Sequence, residues 1–513
     1  MPDYGIGSWP LRQARIRPDA TALRDAQGQL TYARLAERVE QLAAALRARG
    51  IRRGHRVAHL GSNSVAALEA LFATTRLGAI FVPLNTRLTA DELALLLEDC
   101  APALLFHDDA HQHLAQQVAG ALLWTAGPHD QEAMTTDPST PLPEHDGGDG
   151  RDGRDGRDEV GVGLGDDAVI LYTSGTTGRP KGAVLTHGNL TFNTMNQLAH
   201  VDVLSTDTAL CVAPLFHAAG LAQVLLPTLF KGGTVHVLPR FDARAALAHI
   251  AGRQITSFAA VPTMLQMMCD HPDFATTDLS HLRYVIYGGS SAPARVAAAW
   301  QRREVTLLQG YGMTEASPGI TLAVPGPTAT AKPLSPGVPH FFTDVRPRPG
   351  DAGRTPELLV SGLNVFRGYW KRPADTAAAM EGRWLRTGDA VHFDDDGWAH
   401  VADRIKDVII SGGENIYPAE VEARIDALPA VHESAVVGVP DERWGEVGLA
   451  YVVPAPGAAL SAEALRHALR GQLAPYKIPH HVRVIDRLPR NATGKVMKEA
   501  LRAHPPRRPT VPS

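Results

Sequence analysis

The stretch Leu171-Tyr-Thr-Ser-Gly-Thr-Thr-Gly-Arg-Pro-Lys-Gly182 continues an apolar run that begins at Ala168. The apolar run predicts a buried strand, and the abrupt change to hydroxyls, glycines and a lysine predicts a loop that holds phosphate. Glycines let the backbone approach a polyphosphate closely, and Lys181 supplies a compact positive charge. The P-loop motif does not fit, because its lysine follows a glycine and precedes a hydroxyl residue, whereas Lys181 lies between Pro180 and Gly182. The stretch indicates a nucleotide site, with a Ser/Gly-rich surface loop as the alternative.

Composition places the chain among ordinary globular proteins. Its 513 residues suffice for about two to four domains, and a formal charge of −4 does not indicate nucleic acid or an anionic membrane as the main partner. No apolar run reaches the ~18 residues of a membrane span, and the N-terminus lacks an export signal. The three cysteines have no metal-ligand spacing and are expected as reduced thiols. We therefore expect a cytoplasmic protein.

Strands and helices alternate along most of the chain. The strand Arg56–Leu60, followed by a helix over 64–77, begins an order that predicts an α/β region with a largely parallel sheet. Short strands between 344 and 404 predict a small β-rich region beside it. Elements beyond 409 predict a separate α+β domain of about 100 residues. The repeated Arg-Asp-Gly over 147–159 lacks apolar residues and predicts a solvated connector.

Two apolar strands end in glycine. Tyr284–Tyr287 runs into Gly288-Gly289-Ser290, and 305–309 runs into Gly310-Tyr-Gly-Met-Thr-Glu315. Ligands of α/β sheets bind beyond the carboxyl ends of the strands. Tyr311 could stack on a planar base, and Glu315 could hold Mg²⁺ against phosphate oxygens. Taken singly these residues are ambiguous, since glycines follow strands in many α/β proteins.

Two further polar residues lie at predicted turns. Asp389 follows Arg386-Thr-Gly388 and suits ribose hydroxyls, with an Asx-turn or helix cap as the alternative. His217 ends an apolar strand beside the small residues Ala218, Ala219 and Gly220, which would leave space for a flat ligand. A structural histidine is the alternative there.

Five motifs, in this order, resemble the adenylate-forming family that includes acyl-CoA synthetases, adenylation domains and firefly luciferase. They are 172–182, 309–315, 386–389, 403–415 and 491–495. The resemblance implies an α/β fold: a large N-terminal domain of stacked mixed sheets with a small β-rich subdomain over 1–405, and a small mobile α+β domain over 406–513. It also implies two half-reactions. A carboxylate and ATP give acyl-AMP and pyrophosphate, and the thiol of CoA then displaces AMP.

The resemblance implies roles for individual side chains. Lys181 would hold the β- and γ-phosphates, Thr314 the α-phosphate, and Glu315 together with Thr173 the Mg²⁺. Lys495 would be the catalytic lysine that offsets repulsion between the carboxylate and the α-phosphate. Further expected catalytic, ATP-binding and CoA-binding residues are His217, Ser174, Gly175, Thr176, Thr177, Gly288, Gly289, Ser290, Gln309, Gly310, Tyr311, Gly312, Asp389, Val401, Arg404, the hinge residue Lys406, Gly412, Gly413 and Trp444. For Trp444, burial in the core is an equal alternative.

The acid is the least determined part of the prediction. Stretches 5–10, 185–190, 213–218 and 341–345 are particularly similar to bacterial feruloyl-CoA synthetases, which activate hydroxycinnamic acids such as ferulic, coumaric and caffeic acid. The expected acid pocket is apolar and flat, without the added cations that malonate or succinylbenzoate would require. Its residues would be Phe216, His217, Ala219, Gly220, Tyr287, Gly310, Met313, Ala316 and Pro318.

The sequence allows other substrates and functions. A medium- or long-chain fatty acid could enter the same small residues, because one methylene changes binding by only ~1–3 kcal/mol. An enzyme that loads a carrier protein is a second alternative. A non-catalytic nucleotide-binding scaffold would be favoured if Lys495, Glu315 or Asp389 were replaced, and all three are present. The sequence does not determine the oligomeric state, and a homodimer is among those it allows.

Overall fold

In the computed structural model, the described residues are 3–119, 125–136, 161–173, 180–348, 356–412, 414–470, 472–491 and 495–503. The predicted connector at 147–159 lies outside this part of the chain. The expected phosphate-loop contacts Ser174, Gly175, Thr176 and Thr177 and the expected CoA contact Gly413 also lie outside it.

The largest sheet is mixed, with parallel strands in its centre and antiparallel strands at its edges. The parallel centre places the carboxyl ends of Tyr284–Tyr287 and Thr306–Gly312 side by side. The order of its strands is Val338–Pro339, Gly319–Leu322, Thr306–Gly312, Tyr284–Tyr287, Ser257–Ala260, Thr208–Cys211, Thr234–Val237, Thr21–Arg24 and Gln29–Thr31.

A second large sheet carries the strands on either side of the predicted phosphate loop. Asp167–Thr173 and Lys181–Thr186 pair antiparallel, so Thr173 lies opposite Lys181. The two large sheets share one core with the helices between them, in which Leu23 and Val57 belong to the same buried cluster. The strand order is Gly368–Tyr369, Lys181–Thr186, Asp167–Thr173, Ile80–Pro83, Arg56–Leu60, Leu104–His107 and Thr125–Ala126.

The predicted β-rich region forms an antiparallel sheet beside the large sheets. Its strands are Thr343–Arg348, Glu357–Gly362, Trp384–Phe393, Met380–Glu381 and Ala399–Arg404. A fourth sheet follows in the chain and packs its own helices on two apolar clusters. Its strands are Glu414–Ile416, Ile409–Ser411, Gly445–Pro454, Val431–Asp441 and His481–Val484. The α/β fold class with mixed sheets and a smaller C-terminal unit is therefore confirmed.

The helices begin and end where their local sequence specifies. Thr31 caps the helix Tyr32–Ala48 by accepting a hydrogen bond from the Arg34 amide, and the predicted apolar face with Leu35 and Val39 is buried. No helix in the described ranges is both long and apolar enough to cross a bilayer. The remaining helices are Trp9–Ile16, Val65–Arg76, Ala90–Cys100, Gln112–Ala119, Pro128–Thr136, His187–His200, Ala218–Ala222, Leu225–Lys231, Ala243–Gly252, Pro262–Cys269, Ala294–Gln301, Pro327–Ala331, Pro373–Ala379, Pro418–Asp426, Ala462–Leu469 and Lys498–Arg502.

Candidate active site

The two glycine-rich strand ends meet at one edge of the largest sheet. Tyr287 and Gln309 are register partners in neighbouring parallel strands. A Cβ atom on Gly288 would lie 2.9 Å from the carbonyl oxygen of Gly310, a contact too short for any side chain. Glycine is therefore required for the close approach of these strand ends. The surface that they form lies at the edge where α/β sheets bind ligands.

A buried carboxylate lies between a phenol and a guanidinium next to this edge. Asp389 is the register partner of Arg404, whose Nε lies 3.2 Å from Asp389 Oδ1. The hydroxyl of Tyr311 donates to Asp389 Oδ2 at 2.7 Å. Burial raises the pKa of Asp389, although Arg404 opposes the shift. Burial and the Asp389 carboxylate also raise the pKa of Tyr311, so its hydroxyl remains a donor.

Opposite charges lie close together at the start of the strand Lys181–Thr186. The ammonium of Lys181 lies 2.5 Å from Asp375 Oδ1 and 5.3 Å from the ring centre of Tyr369. The Tyr369 hydroxyl donates to Oε1 of Glu315 at 2.7 Å. Glu315 is buried in the short 3₁₀ helix Thr314–Ala316. An ammonium and a buried carboxylate that contact the same tyrosine suit a polyphosphate and its hard cation.

Lys495 belongs to the C-terminal unit and approaches the same region. The Asn491 amide donates to the Lys495 carbonyl at 2.9 Å, and the Lys495 amide donates to Asn491 Oδ1 at 2.9 Å. Lys495 retains solvent access, but the surrounding cleft removes part of its hydration. That desolvation, followed by repulsion from Arg404, lowers the pKa of Lys495, while Asp389 raises it. The side chain therefore lies within electrostatic reach of the buried carboxylate.

The expected acid pocket contains a neutral imidazole. Phe216 and His217 are in edge contact, with ring centres 4.6 Å apart. Burial, and then the charge of Arg87, lowers the pKa of His217 to about 4. Its Nε2 is buried without a hydrogen-bond partner among the described residues. The pKa and the unpartnered nitrogen together describe an uncharged ring that can accept or donate one hydrogen bond.

A second unpartnered polar atom lies nearby. The Nε2 atom of Gln223 would lie 3.4 Å from a Cβ on Gly310 and 4.0 Å from one on Gly288. Its Oε1 is buried and has no hydrogen-bond partner within the described ranges. A buried amide oxygen without a partner is costly. The Gln223 amide therefore lies beside the strand ends, with its Oε1 buried and unpaired.

Other residues of the expected pocket have packing roles. Tyr287 is fully buried, and its hydroxyl lies 2.9 Å from both Gln309 Oε1 and the Pro333 carbonyl. A Cβ on Gly220 would lie 2.1 Å from the carbonyl oxygen of Pro214. The space beside Gly220 is thus filled by backbone, so this glycine permits close packing and does not widen a cavity. Ala316 and Pro318 are buried at the neighbouring turn.

The expected CoA residues lie on the C-terminal unit. Gly412 has φ +59°, and its amide donates to the Trp444 carbonyl at 2.7 Å. The Trp444 indole is 41% exposed and stacks under Arg443, so its alternative placement in the core is wrong. Lys406 pairs with Glu499 at 3.2 Å. Gly412 and Trp444 therefore contact each other, and Lys406 is paired separately.

Comparison with known proteins identifies the family. Residues 11–370 match the AMP-binding enzyme family, and residues 420–495 match its C-terminal domain. The chain belongs to the AMP-binding enzyme family. It is 47% identical over 507 residues to feruloyl-CoA synthase of an Amycolatopsis species, covering 98% of this chain and 99% of that protein. It is 40% identical over 517 residues to indoleacetate–CoA ligase of Aromatoleum aromaticum, covering 97% of each.

A solved member of the AMP-binding enzyme family has the same architecture. ATP-bound MatB from Rhodopseudomonas palustris aligns with a TM-score of 0.86 and 31% identity, covering 98% of this chain and 99% of that one. The chain is an ATP-dependent acid–CoA ligase that works through an acyl-adenylate, with ATP, Mg²⁺ and CoA as its cosubstrates and cofactor. Within the described part, no three His, Cys, Asp or Glu side chains are grouped to bind a metal. One buried carboxylate at Glu315 fits Mg²⁺, which keeps several waters and phosphate oxygens as ligands.

Four residues of this site were missed in the sequence. Tyr369 donates a hydrogen bond to Glu315, and Asp375 pairs with Lys181. Gln223 lies beside Gly310, and the charge of Arg87 lowers the pKa of His217. Tyr369 and Glu315 are 54 residues apart, and Lys181 and Asp375 are 194 apart, so no local spacing connects them. The only local signal for Tyr369 was a Gly-Tyr-Trp run after Arg367.

Proposed function

We propose that the acid activated by this ligase is a hydroxycinnamic acid such as ferulate, coumarate or caffeate. The observation that carries the proposal is the 47% identity to a feruloyl-CoA synthase over 98% of this chain. The match spans 98% of the chain, so the part of the sequence that carries the expected acid pocket lies within it. The site geometry adds support that does not depend on the comparison.

The polar groups of the pocket fit a phenolic acid. Phe216 supplies an aromatic edge, and His217 stays uncharged above its pKa of about 4. The unpartnered Oε1 of Gln223 would accept a hydrogen bond from a ring hydroxyl of the substrate. A fatty acid would leave this amide without a partner, which is the unfavourable outcome for a buried acceptor.

We assign the first half-reaction to residues on both units. Lys181 would hold the β- and γ-phosphates, and Thr314 the α-phosphate. Asp389 and Arg404 would hold the ribose, with the Tyr311 ring beside the base. Mg²⁺, held by Glu315 and reached by Thr173, would neutralise charge on the phosphate oxygens.

Lys495 would stabilise the anionic transition state of adenylate formation. Its ammonium lies within electrostatic reach of Asp389, where a bound ribose would place the α-phosphate nearby. The pKa of Lys495 is lowered in the unliganded site. The substrate carboxylate and the α-phosphate, both anions, would favour its charged form when they bind. We therefore assign this arrangement of the two units to the first half-reaction.

We assign the second half-reaction to a rearrangement of the C-terminal unit. The division would lie between 405 and 406, with Lys406 at the hinge. After rotation, Gly412 and Gly413 would line the path of the pantetheine chain, and the exposed Trp444 would border it. Glycine leaves room there for a thin chain.

The test is CoA- and ATP-dependent thioester formation with ferulate, coumarate, cinnamate, octanoate, palmitate and malonate, compared as kcat/KM. We expect ferulate and coumarate to exceed the fatty acids and malonate by at least about tenfold, a difference of about 1.4 kcal/mol in transition-state binding. Preference for octanoate or palmitate would overturn the proposal and make the protein a fatty acyl-CoA ligase. Preference for malonate would also overturn the proposal, and would indicate that Arg87 binds the second carboxylate of that acid.

A further inference from the structure

Tyr369 lies between two side chains of opposite charge. Its hydroxyl donates to Glu315 Oε1 at 2.7 Å, and the Lys181 ammonium lies 5.3 Å from its ring centre. Asp375 holds the same ammonium at 2.5 Å. Glu315 is therefore bonded to Tyr369 and Lys181 is paired with Asp375, so the two groups are not paired with each other.

This placement has a consequence for ligand binding. A lysine and a glutamate on either side of one tyrosine could pair with each other if that side chain were absent, and each charge would then be less available to a ligand. The Tyr369 ring attracts the ammonium through its face, while its hydroxyl fixes the carboxylate. Tyr369 thus contacts both groups, while Asp375 pairs with the ammonium.

The strand pairing fixes Tyr369 in this position. Tyr369 is the register partner of Ala183 in the strand that begins at Lys181. The Tyr369 amide donates a hydrogen bond to Oγ1 of Thr376 at 2.8 Å. The Phe366 amide donates to the Glu315 carbonyl at 2.8 Å, which joins the same segment to the 3₁₀ helix. The backbone therefore holds all three side chains in a defined arrangement.

We propose that Tyr369 is a positioning residue that keeps Glu315 and Lys181 apart and oriented for the Mg²⁺ and the phosphates of MgATP. Asp375 holds Lys181 until the phosphates replace its carboxylate. The inference rests on the proposed function, because it uses the assignment of Glu315 to Mg²⁺ and of Lys181 to phosphate. It does not depend on which acid the ligase activates.

The test measures nucleotide binding by calorimetry without any acid, with Mg²⁺ and with EDTA. Tyr369→Phe keeps the ring and removes the hydroxyl. We expect it to weaken MgATP binding about tenfold or more, as for loss of a hydrogen bond to a charged group, and to leave binding of ATP in EDTA unchanged. The matched control is Tyr32→Phe, which removes a buried hydroxyl that donates to the Gly233 carbonyl at 2.6 Å, and MgATP binding should stay at the wild-type value.

A double-mutant cycle separates positioning from a general structural effect. Glu315→Gln should remove the advantage of Mg²⁺, and adding Tyr369→Phe to it should cause no further loss. If Tyr369→Phe weakens ATP binding equally with and without Mg²⁺, or adds fully to Glu315→Gln, the inference is overturned while the metal assignment stands. If Glu315→Gln leaves the effect of Mg²⁺ intact, the metal assignment itself fails, and the positioning role fails with it.

Discussion

The hydroxyl of Tyr311 donates to Oδ2 of Asp389 at 2.7 Å, although the two residues are 78 positions apart. The bond joins the end of the largest sheet to the β-rich sheet. Arg404 occupies the other carboxylate oxygen at 3.2 Å. Because both oxygens of Asp389 are engaged, the carboxylate and the Tyr311 ring are fixed before a nucleotide binds.

Loss of the Tyr311 hydroxyl should therefore weaken ATP binding. We expect Tyr311→Phe to raise the KM for ATP about tenfold, because a hydrogen bond to a charged group is lost, with little change in the KM for the acid. The measurement is pyrophosphate exchange at varied ATP. Tyr451→Phe is the control, since it removes a hydroxyl bonded to the Leu501 carbonyl away from the site. An unchanged KM for ATP in Tyr311→Phe would show that Asp389 needs no such support.

Removal of the Lys495 ammonium should abolish most adenylation without unfolding the protein. We expect Lys495→Ala to lower the rate of pyrophosphate exchange by about 10²–10³, with an unchanged thermal midpoint because the side chain is exposed. Lys477→Ala removes a surface lysine that pairs with Glu420 at 2.8 Å, and its exchange rate should match the wild type. A loss below about threefold in Lys495→Ala, which is under 1 kcal/mol, would contradict the assigned role.

The Gln223 amide should discriminate between phenolic and unsubstituted acids. We expect Gln223→Leu to lower kcat/KM for coumarate about 10–100-fold and to leave cinnamate nearly unchanged, because only coumarate can use the acceptor. Both acids are measured with the same enzyme sample, so cinnamate controls for folding. Equal losses for the two acids would instead indicate that Gln223 supports the pocket wall.

A methyl group at position 412 should affect thioester formation more than adenylation. Gly412 has φ +59°, and an added Cβ would lie 2.7 Å from Trp444 Cε3. Gly412→Ala adds about 1–2 kcal/mol of backbone strain and a clash with the indole. Gly382→Ala is the matched control, since it has φ +62° and nothing within 4 Å. Adenylation and thioester formation are assayed separately for each variant. The CoA assignment would be contradicted if Gly412→Ala and Gly382→Ala had the same effect on thioester formation.

Acid should destabilise the protein through a buried histidine. Burial, and then the neighbouring His200, lowers the pKa of His340 to about 3, against about 6.5 in an unfolded chain. Between these values the unfolded chain binds more protons, so the contribution to stability is complete above pH 6.5 and is lost as the pH falls. His340→Gln should flatten the dependence of the unfolding free energy on pH by up to about 1.4 kcal/mol per pH unit.

The measurement for His340 is denaturant unfolding between pH 4.5 and 7, with the surface variant His113→Gln as control. Parallel curves for His340→Gln and the wild type would show that His340 does not cause the acid instability. Only the slopes are compared, because the substitution itself changes packing beside His200, whose ring centre lies 4.6 Å away.

Much of the secondary structure could be predicted from local patterns. The strands Arg56–Leu60 and Tyr284–Tyr287 have the predicted bounds, because each short, largely apolar run is followed by a glycine. The helix His187–His200 was missed. Its buried face carries Asn193 and Asn196, which bond the Ala222 carbonyl and the Thr343 hydroxyl, so the apolar period that identifies a helix is weak there.

The sequence by itself determined the family and the chemistry of the ligase, because the motifs that resemble the family, and that we assign to phosphate, ribose and the carboxylate, are contiguous stretches with fixed local spacing. The tertiary structure decided which side chains meet. Tyr369 reaches Glu315, and Lys495 lies near Asp389, only because strands from distant parts of the chain pair in one register and the C-terminal unit packs in one orientation. Local patterns carry no information about such contacts, since each depends on the packing of whole elements.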